Sequence, residues 1–343
     1  MQEVTPVDSP TRAALDFEEA RVAVARHARV TPLMRAADLS ERAGREVLLK
    51  LECLQQTGSF KVRGAAARLE ALAPEERARG VVACSSGNHG RAVAFVAGRL
   101  GIPATVFVPE WVDSVKLDGI VAAGADARRE GSTFDESEAW ALEHAATRGM
   151  TYVSAYDDPW VIAGQGTIAF EIMDQAGRPP SAILVPLSGG GLAGGIAAAV
   201  RQIAPGTVPE VIAVSAENAA VMLASVQAGK PVDLPEEDTL ANALAGGIGL
   251  DNRHSFALVR DLIDEHVTVT EREIALAMRY ALEQLHLVVE GGGAVGLAAL
   301  LAASESRQGL QEGGPLVVVL SGGNVASETL SGVLGPAGTG STI

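Results

Sequence analysis

Cysteine is nearly absent: the 343-residue chain carries two, Cys53 and Cys84. Both lie in or beside apolar strand-like runs, EVLLKLEC and GVVAC, with no C-x-x-C spacing and no accompanying histidine pattern. That argues against a disulfide framework and a thiolate metal site, and it is the usage of buried free thiols in a reducing cytoplasm. Basic residues are also short, 27 lysines and arginines against 42 acids, for a formal charge of -15. Such a surface repels nucleic acid and anionic membrane, which leaves a small molecule as the expected partner. An uninterrupted membrane-length apolar run is missing too. Residues 182–200 come nearest, but five glycines crowd the middle, and a strand, turn and helix explain the pattern better. The first sixteen residues hold no hydrophobic signal core, so they read as a disordered leader and not a secretion signal.

What is present is enough apolar material for a large core: 48% of the chain is hydrophobic, and the length predicts two domains. Short connections link alternating strand and helix patterns. The strand candidates are EVLLKLE, GVVACS, ATVFVP, ADARRE, SAILVPL, EVIAVSA, EHVTVT and PLVVVLS, with helical patterns between them. This predicts an α/β protein with mostly parallel sheets covered on both faces. Residues 80–156 are expected to form a small domain, and residues 1–79 with 157–343 the larger one. No repeat is visible, and the tail GPAGTGSTI is expected to be frayed.

Glycine clusters recur where strands end: SSGNHG at 85–90, SGGGLAGG at 188–195, EGGGAVG at 290–296 and SGGN at 321–324. Ligands of open parallel sheets bind at the carboxyl ends of strands, so these clusters point to one cleft. The second contains G-x-G-x-x-G at Gly189, Gly191 and Gly194, between an apolar strand pattern and an Ala-rich helical one. A helix N-terminus of this kind holds a phosphate. A dinucleotide is one owner of that phosphate, giving an NAD-dependent oxidoreductase with Glu210 or Glu217 toward a ribose. That reading leaves TGSFK and SSGNHG without a purpose.

Lys61, in TGSFKVRGA, sits just inside a helix start among apolar and small residues, whereas surface lysines are usually embedded among charges. With TPL (31–33), TGSFKVRGA (57–65), SSGNHG (85–90), AGQGT (163–167), VPLSGGGLAGG (185–195), VVEGGGAVG (288–296) and LSGGN (320–324), in that order, the chain resembles the fold type II pyridoxal-phosphate enzymes, of tryptophan synthase β-like fold. Within these it is similar to the serine/threonine dehydratase and serine racemase family. The resemblance implies two open, mostly parallel sheets, pyridoxal 5'-phosphate as cofactor, and a cytoplasmic homodimer. Lys61 would form the internal aldimine and move the α-proton, work suited to an amine whose pKa burial lowers. Phe60 would lie beside the ring, Asn88 would hydrogen-bond the phenolic oxygen, and Ser321 would partner the pyridine nitrogen. Ser188, Gly189, Gly190, Gly191 and Leu192 would cradle the phosphate. Ser85, Ser86, Asn88 and His89 would grip the substrate α-carboxylate. Ser86 also matches the second acid/base of family racemases, although an ordinary helix cap explains a serine there equally well.

The implied reaction is α,β-elimination of water from a β-hydroxy amino acid, with the cofactor phosphate protonating the leaving hydroxyl, to give a 2-oxo acid and ammonia. Racemisation is the alternative within the family. Residues 244–274, followed by LHLVVEGGGAVG at 285–296, look closest to the branch of hydroxyectoine-utilisation dehydratases. No metal is expected, because Ser215 and Ala216 stand where cation-binding relatives carry Glu-Pro, with Glu217 beside them. Near Glu138 the arginine that some relatives aim at a second substrate carboxylate is missing, which disfavours a dicarboxylic substrate. Gly291 replaces a common proline, for which a loop-shape reason is as good as a substrate one. Little chain follows Asn324, so neither the regulatory domain of biosynthetic threonine dehydratases nor isoleucine feedback is expected.

Overall fold

The computed structural model describes residues 15–85, 87–110, 112, 114–204, 206, 208–306 and 313–335. Ser86, most of the expected leader and nearly all of the expected frayed tail lie outside them. Among the described residues ten strands form two sheets. The strands are β1 (Leu33–Arg35), β2 (Val47–Lys50), β3 (Val81–Cys84), β4 (Ala104–Val108), β5 (Asp126–Arg129), β6 (Thr151–Tyr152), β7 (Ala182–Pro186), β8 (Glu210–Ala216), β9 (Glu265–Val269) and β10 (Leu316–Val319). The larger sheet runs β1-β2-β10-β7-β8-β9 and the smaller β5-β4-β3-β6. Every pairing of these strands is parallel except β1 on β2. β10 pairs with β2 on one side and β7 on the other, and all four of its residues, LVVV, are buried, as a strand sandwiched between helical layers requires. β5 reads DARR because it is an edge strand, where charge discourages further pairing.

The helices of the first half are α1 (Phe17–His27), α2 (Ala37–Ala43), α3 (Lys61–Glu70), α4 (Pro74–Arg79), α5 (Asn88–Leu100), α6 (Ser114–Ala122) and α7 (Phe134–Arg148). Those of the second half are α8 (Pro159–Gln175), α9 (Gly191–Ile203), α10 (Val221–Ala228), α11 (Ser255–Leu262), α12 (Glu271–Leu285), α13 (Gly291–Ser306) and α14 (Ser327–Leu334). Their starts follow local chemistry. Thr270 and Glu273 close a reciprocal capping box on α12, the Glu273 amide donating to Thr270 Oγ1 at 3.2 Å and the Thr270 amide to Glu273 Oε2 at 2.7 Å. Asp158 accepts from the amides of Trp160 and Val161 at 2.8 and 3.0 Å, with Pro159 at the first helical position of α8. The segment 182–200 is β7, a glycine turn and most of α9. Among the described residues no helix is long and apolar enough to cross a membrane.

Three small-residue contacts bring α3, α8 and α9 into direct backbone proximity. A Cβ on Gly164 of α8 would come within 2.5 Å of the Arg63 carbonyl and 2.8 Å of Gly64 Cα on α3. On the other side of α8, one on Gly166 would lie 2.7 Å from the Gly195 carbonyl of α9, and one on Gly195 would strike the Ile162 carbonyl. AGQGT is therefore a double-sided helix contact. A buried ionic network spans β2, α3 and α8: Arg63 donates to Glu52 at 2.7 and 2.8 Å and to Glu171 at 2.7 and 2.9 Å, and Lys50 donates to Glu171 at 2.6 Å. Burial pushes the Glu52 carboxyl up, but the Arg63 guanidinium outweighs it and holds the group below its ordinary value.

Candidate active site

The strand ends of both sheets face one cleft, which encloses about 1310 Å³ of space, mouth included. From the larger sheet come the segments after β2, β7 and β10, and from the smaller those after β3 and β6. Backbone bonds lock the first and last of the larger-sheet segments together. The Phe60 amide donates to the Ser321 carbonyl at 3.0 Å, the Gly323 amide to the Gly58 carbonyl at 2.9 Å, and Ser59 forms an antiparallel bridge with Gly322. Lys61 and Ser321 are thus held in fixed relation by main chain.

Lys61 is the first residue of α3. Its Nζ donates to the Ala155 carbonyl at 2.8 Å and lies 5.2 Å from the Phe60 ring centroid. Burial brings the amine down to about 8, with the Glu290 carboxylate pulling in the opposite direction. A partly neutral, desolvated amine is a nucleophile and a base near physiological pH.

Ser188, Gly189, Gly190, Gly191 and Leu192 line the cleft where α9 begins. Glycine is required here by close approach. A Cβ on Gly189 would run into the Tyr156 ring, and one on Gly191 would lie 2.7 Å from the Tyr156 carbonyl. Gly190 has a φ of 85°, in the left-handed region, and its Cβ would meet Met222 and Val259 at 2.9 Å. The first-turn amides of α9 have no intrahelical acceptor, which makes this turn a cradle for an anion.

On the other wall Ser85 follows β3 and Asn88 opens α5. Ser85 Oγ accepts from the Gly87 amide at 3.0 Å, and Asn88 Nδ2 donates to Glu290 Oε1 at 2.6 Å. His89 Nε2 pairs with the Val153 carbonyl at 2.9 Å, so the proton sits there and Nδ1, buried and unpartnered, carries none. Burial, reinforced by Lys61, pushes its pKa down to about 3. The imidazole is neutral and turned inward, and what His89 can offer an anion is its first-turn amide.

Phe60, Lys61, Ser85, Asn88, His89, Ser188, Gly189, Gly190, Gly191, Leu192 and Ser321 all line this cleft. Sequence reasoning passed over Glu290, Tyr156, Arg91 and Asn324, which line it too. Glu290 and Asn324 lay inside quoted motifs but carried no signal of their own, and Tyr156 is a lone aromatic before an acid pair. The backbone explains that pair: Asp158 caps α8, while Asp157 accepts from the amides of Arg253, His254 and Ser255 at 2.8 to 2.9 Å and so fixes the start of α11. Glu138 accepts from the Tyr152 hydroxyl at 2.6 Å, and burial raises its carboxyl. Ser215 donates to the Leu187 carbonyl at 3.0 Å and stays buried beneath the glycine loop. Gly291 has a packing reason, since any Cβ there, proline's included, would strike the Leu240 carbonyl.

A half-buried lysine, a helix-terminal glycine cradle and a buried serine hydroxyl around one cleft define a site fitted to an aldehyde cofactor that carries a phosphate and a ring nitrogen. The family model for pyridoxal-phosphate dependent enzymes matches residues 24–322, and the chain belongs to that family. Its L-threonine ammonia-lyase relative from Geobacter sulfurreducens is 42% identical over 320 residues, covering 93% of this chain and 77% of that one. The processed form of threonine deaminase isoform 2 from Solanum lycopersicum superposes with a TM-score of 0.88 at 33% identity, covering 98% and 96%. Maize serine racemase superposes at 0.86 and 32%, covering 94% and 97%. The fold is fold type II. The dinucleotide reading of G-x-G-x-x-G falls with these findings: the cofactor of the family is pyridoxal phosphate, and a lysine shares the cleft with the loop.

Proposed function

We propose that the protein is a pyridoxal-phosphate dependent dehydratase, or ammonia-lyase, acting on a threonine- or serine-type β-hydroxy amino acid. The observation that carries this reading is the Lys61 amine, brought to about 8 inside the same cleft as the Gly189–Gly191 cradle and Ser321. When bound, pyridoxal phosphate supplies the electron sink that makes an amino acid's α-proton removable. Lys61 anchors the cofactor and carries the α-proton. The amides from Ser188 to Leu192 hold the phosphate, Asn88 donates toward the phenolic oxygen, and Phe60 flanks the ring. Ser321 would offer the pyridine nitrogen a neutral hydroxyl, which does not force that nitrogen to stay protonated. Ser85, Ser86, Asn88 and the first-turn amides of α5 receive the α-carboxylate. Loss of water from the substrate leaves an enamine, which tautomerises and hydrolyses to a 2-oxo acid and ammonia.

The ammonia-lyase and deaminase relatives support elimination over other chemistry. The maize serine racemase neighbour supports a second reading, racemisation of the same substrates, with Ser86 as the second acid/base. We further propose that residues 80–156 act as a small domain against the rest, that the protein is a cytoplasmic homodimer, and that amino acids derived from hydroxyectoine belong among the substrates to be tried. Purified protein is expected to be yellow, with borohydride fixing the label on Lys61. A product assay for 2-oxo acid and ammonia over serine, threonine, 3-hydroxyaspartate, phenylserine and hydroxyectoine-derived amino acids then tests reaction and substrate together. Inverted substrate recovered without 2-oxo acid favours the racemase, and colourless protein that cannot be reconstituted ends both readings.

A further inference from the structure

Asn88 lines the cleft with an amide whose two ends are alike in shape and opposite in hydrogen-bonding sense. An N–H presented to the cofactor binds its phenolic oxygen, and a carbonyl presented there repels it. Which end faces inward is decided by the neighbours that the amide's other atoms must satisfy.

Those neighbours form a chain whose outer ends admit one polarity. Asn324 Nδ2 donates to the Thr57 carbonyl at 2.9 Å, and a backbone carbonyl can only accept. Asn324 Oδ1 accepts from Arg91 Nη1 at 3.1 Å, and a guanidinium can only donate. With both anchors satisfied, the Asn324 amide has a single orientation, and its Nδ2 faces Asn88 Oδ1 at 2.7 Å. Asn88 Oδ1 is thereby spoken for, and Nδ2 is the end left for the cleft, where it donates to Glu290 at 2.6 Å and keeps a second N–H. Room for the arrangement comes from Gly58, whose φ of 76° lies in the left-handed region and whose missing Cβ would otherwise overlap the Asn324 amide. Thr57 and Gly58 belong to the loop that carries Lys61, and Asn324 follows Ser321 by three residues.

We propose that Asn324 is a positioning residue that, together with the Glu290 acceptor, fixes the donor polarity of Asn88 toward the cofactor, with Thr57 and Arg91 as its two references. The inference rests on the proposed contact between Asn88 and the cofactor's phenolic oxygen. Asn324→Asp is the informative change, because it keeps the shape and the acceptor for Arg91 but replaces the donor facing Thr57 and Asn88 with an oxygen. The introduced carboxylate would repel Asn88 Oδ1, and turning the Asn88 amide would only set its carbonyl against Glu290 Oε1, so in either orientation the N–H offered to the cofactor is displaced.

The measurements are the dissociation constant of pyridoxal phosphate for the apo protein and the pH midpoint of the bound cofactor's visible absorbance, on wild type, Asn324→Asp, Asn88→Asp and Arg91→Ala. A hydrogen bond to a charged oxygen exchanged for a repulsion should weaken affinity about ten- to a hundred-fold in Asn324→Asp. Its absorbance midpoint should move in the same direction as in Asn88→Asp. Arg91→Ala, at an exposed side chain, should move affinity and midpoint less than Asn324→Asp does, because the Thr57 carbonyl alone still admits only a donor, and an equal shift there would overturn the role given to Thr57. Wild-type affinity and midpoint in Asn324→Asp, with both altered in Asn88→Asp, overturn the positioning role and leave the proposed function intact. No change even in Asn88→Asp refutes instead the contact on which the inference rests. If Asn324→Asp fails to fold, judged by circular dichroism of the apo protein, Asn324→Ala, which deletes the donor to Asn88 without adding a charge, decides in its place, and wild-type affinity and midpoint there overturn the proposal.

Discussion

At the scale of residues, the cleft is organised around the protonation of Lys61. An amine of pKa about 8 has about one molecule in ten neutral at pH 7, against about three in ten thousand for a lysine at its ordinary value. The neutral form is the nucleophile, so cofactor capture by apo protein should accelerate as pH rises through about 8 and level off above it. Burial lowers the amine while the Glu290 carboxylate raises it. Glu290→Gln removes the raising influence and leaves the burial, so its capture profile should sit at lower pH than that of wild type. Stopped-flow absorbance on the two proteins side by side cancels the cofactor's own ionisations, and a profile shifted upward or unmoved would mean that Glu290 does not act on Lys61. The residues proposed to do the chemistry were the legible ones. Lys61, Asn88, Ser321 and the 188–192 loop each stood in a short motif of unusual composition. Glu290 and Asn324 were not legible, because their importance comes from what they touch across more than two hundred residues of chain.

At the scale of elements, long periodic helices and buried strands were readable, and short ones were not. α11 is the clearest case: the amides of Arg253, His254 and Ser255 are held by Asp157, nearly a hundred residues away, and only the Asn252 side chain, accepting from the Phe256 amide, marks its start locally. β1 and β6 are three- and two-residue edge strands that exist only through their partners, and the short helices α2 and α10 bury Leu39 and Met222 against the core. Conversely AGQGT was recognised as a motif, while its physical purpose emerged only once α8 was seen between α3 and α9. Those two helices carry Lys61 and the glycine cradle at their N-termini, so the spacing across α8 sets the distance between the two ends of the site. Gly195→Ala forces a methyl group against the Ile162 carbonyl and should cost about 1–3 kcal/mol of stability by overpacking. Cofactor affinity should weaken with it. Gly332→Ala on α14 meets nothing within 4 Å and should be neutral or slightly stabilising. Thermal melting of the two variants with cofactor titration separates a specific contact from a general intolerance of alanine, and a Gly195→Ala protein as stable as wild type would refute the close-contact account.

At the scale of the whole molecule, the cleft draws on both sheets, and this determines how the protein should respond to its cofactor. Lys61, the 188–192 loop and Ser321 belong to the larger sheet's strand ends, whereas Ser85, Asn88 and Tyr156 follow strands of the smaller one. A ligand confined to one half would stabilise that half alone. A ligand held by both couples their unfolding, because neither half retains the site once the other is lost. Stabilisation by mass action amounts to about 2.7 kcal/mol at a hundredfold excess over the dissociation constant. Calorimetry of apo protein with increasing pyridoxal phosphate should therefore show the whole transition moving upward by a few degrees, and any separate low-temperature transition of the apo form merging into it. Lys61→Ala, which keeps the cradle and loses the anchor, should show a smaller rise at the same concentration. A profile in which one transition climbs while a second stays at its apo temperature would locate the cofactor within one sheet's residues and refute a site shared between the two.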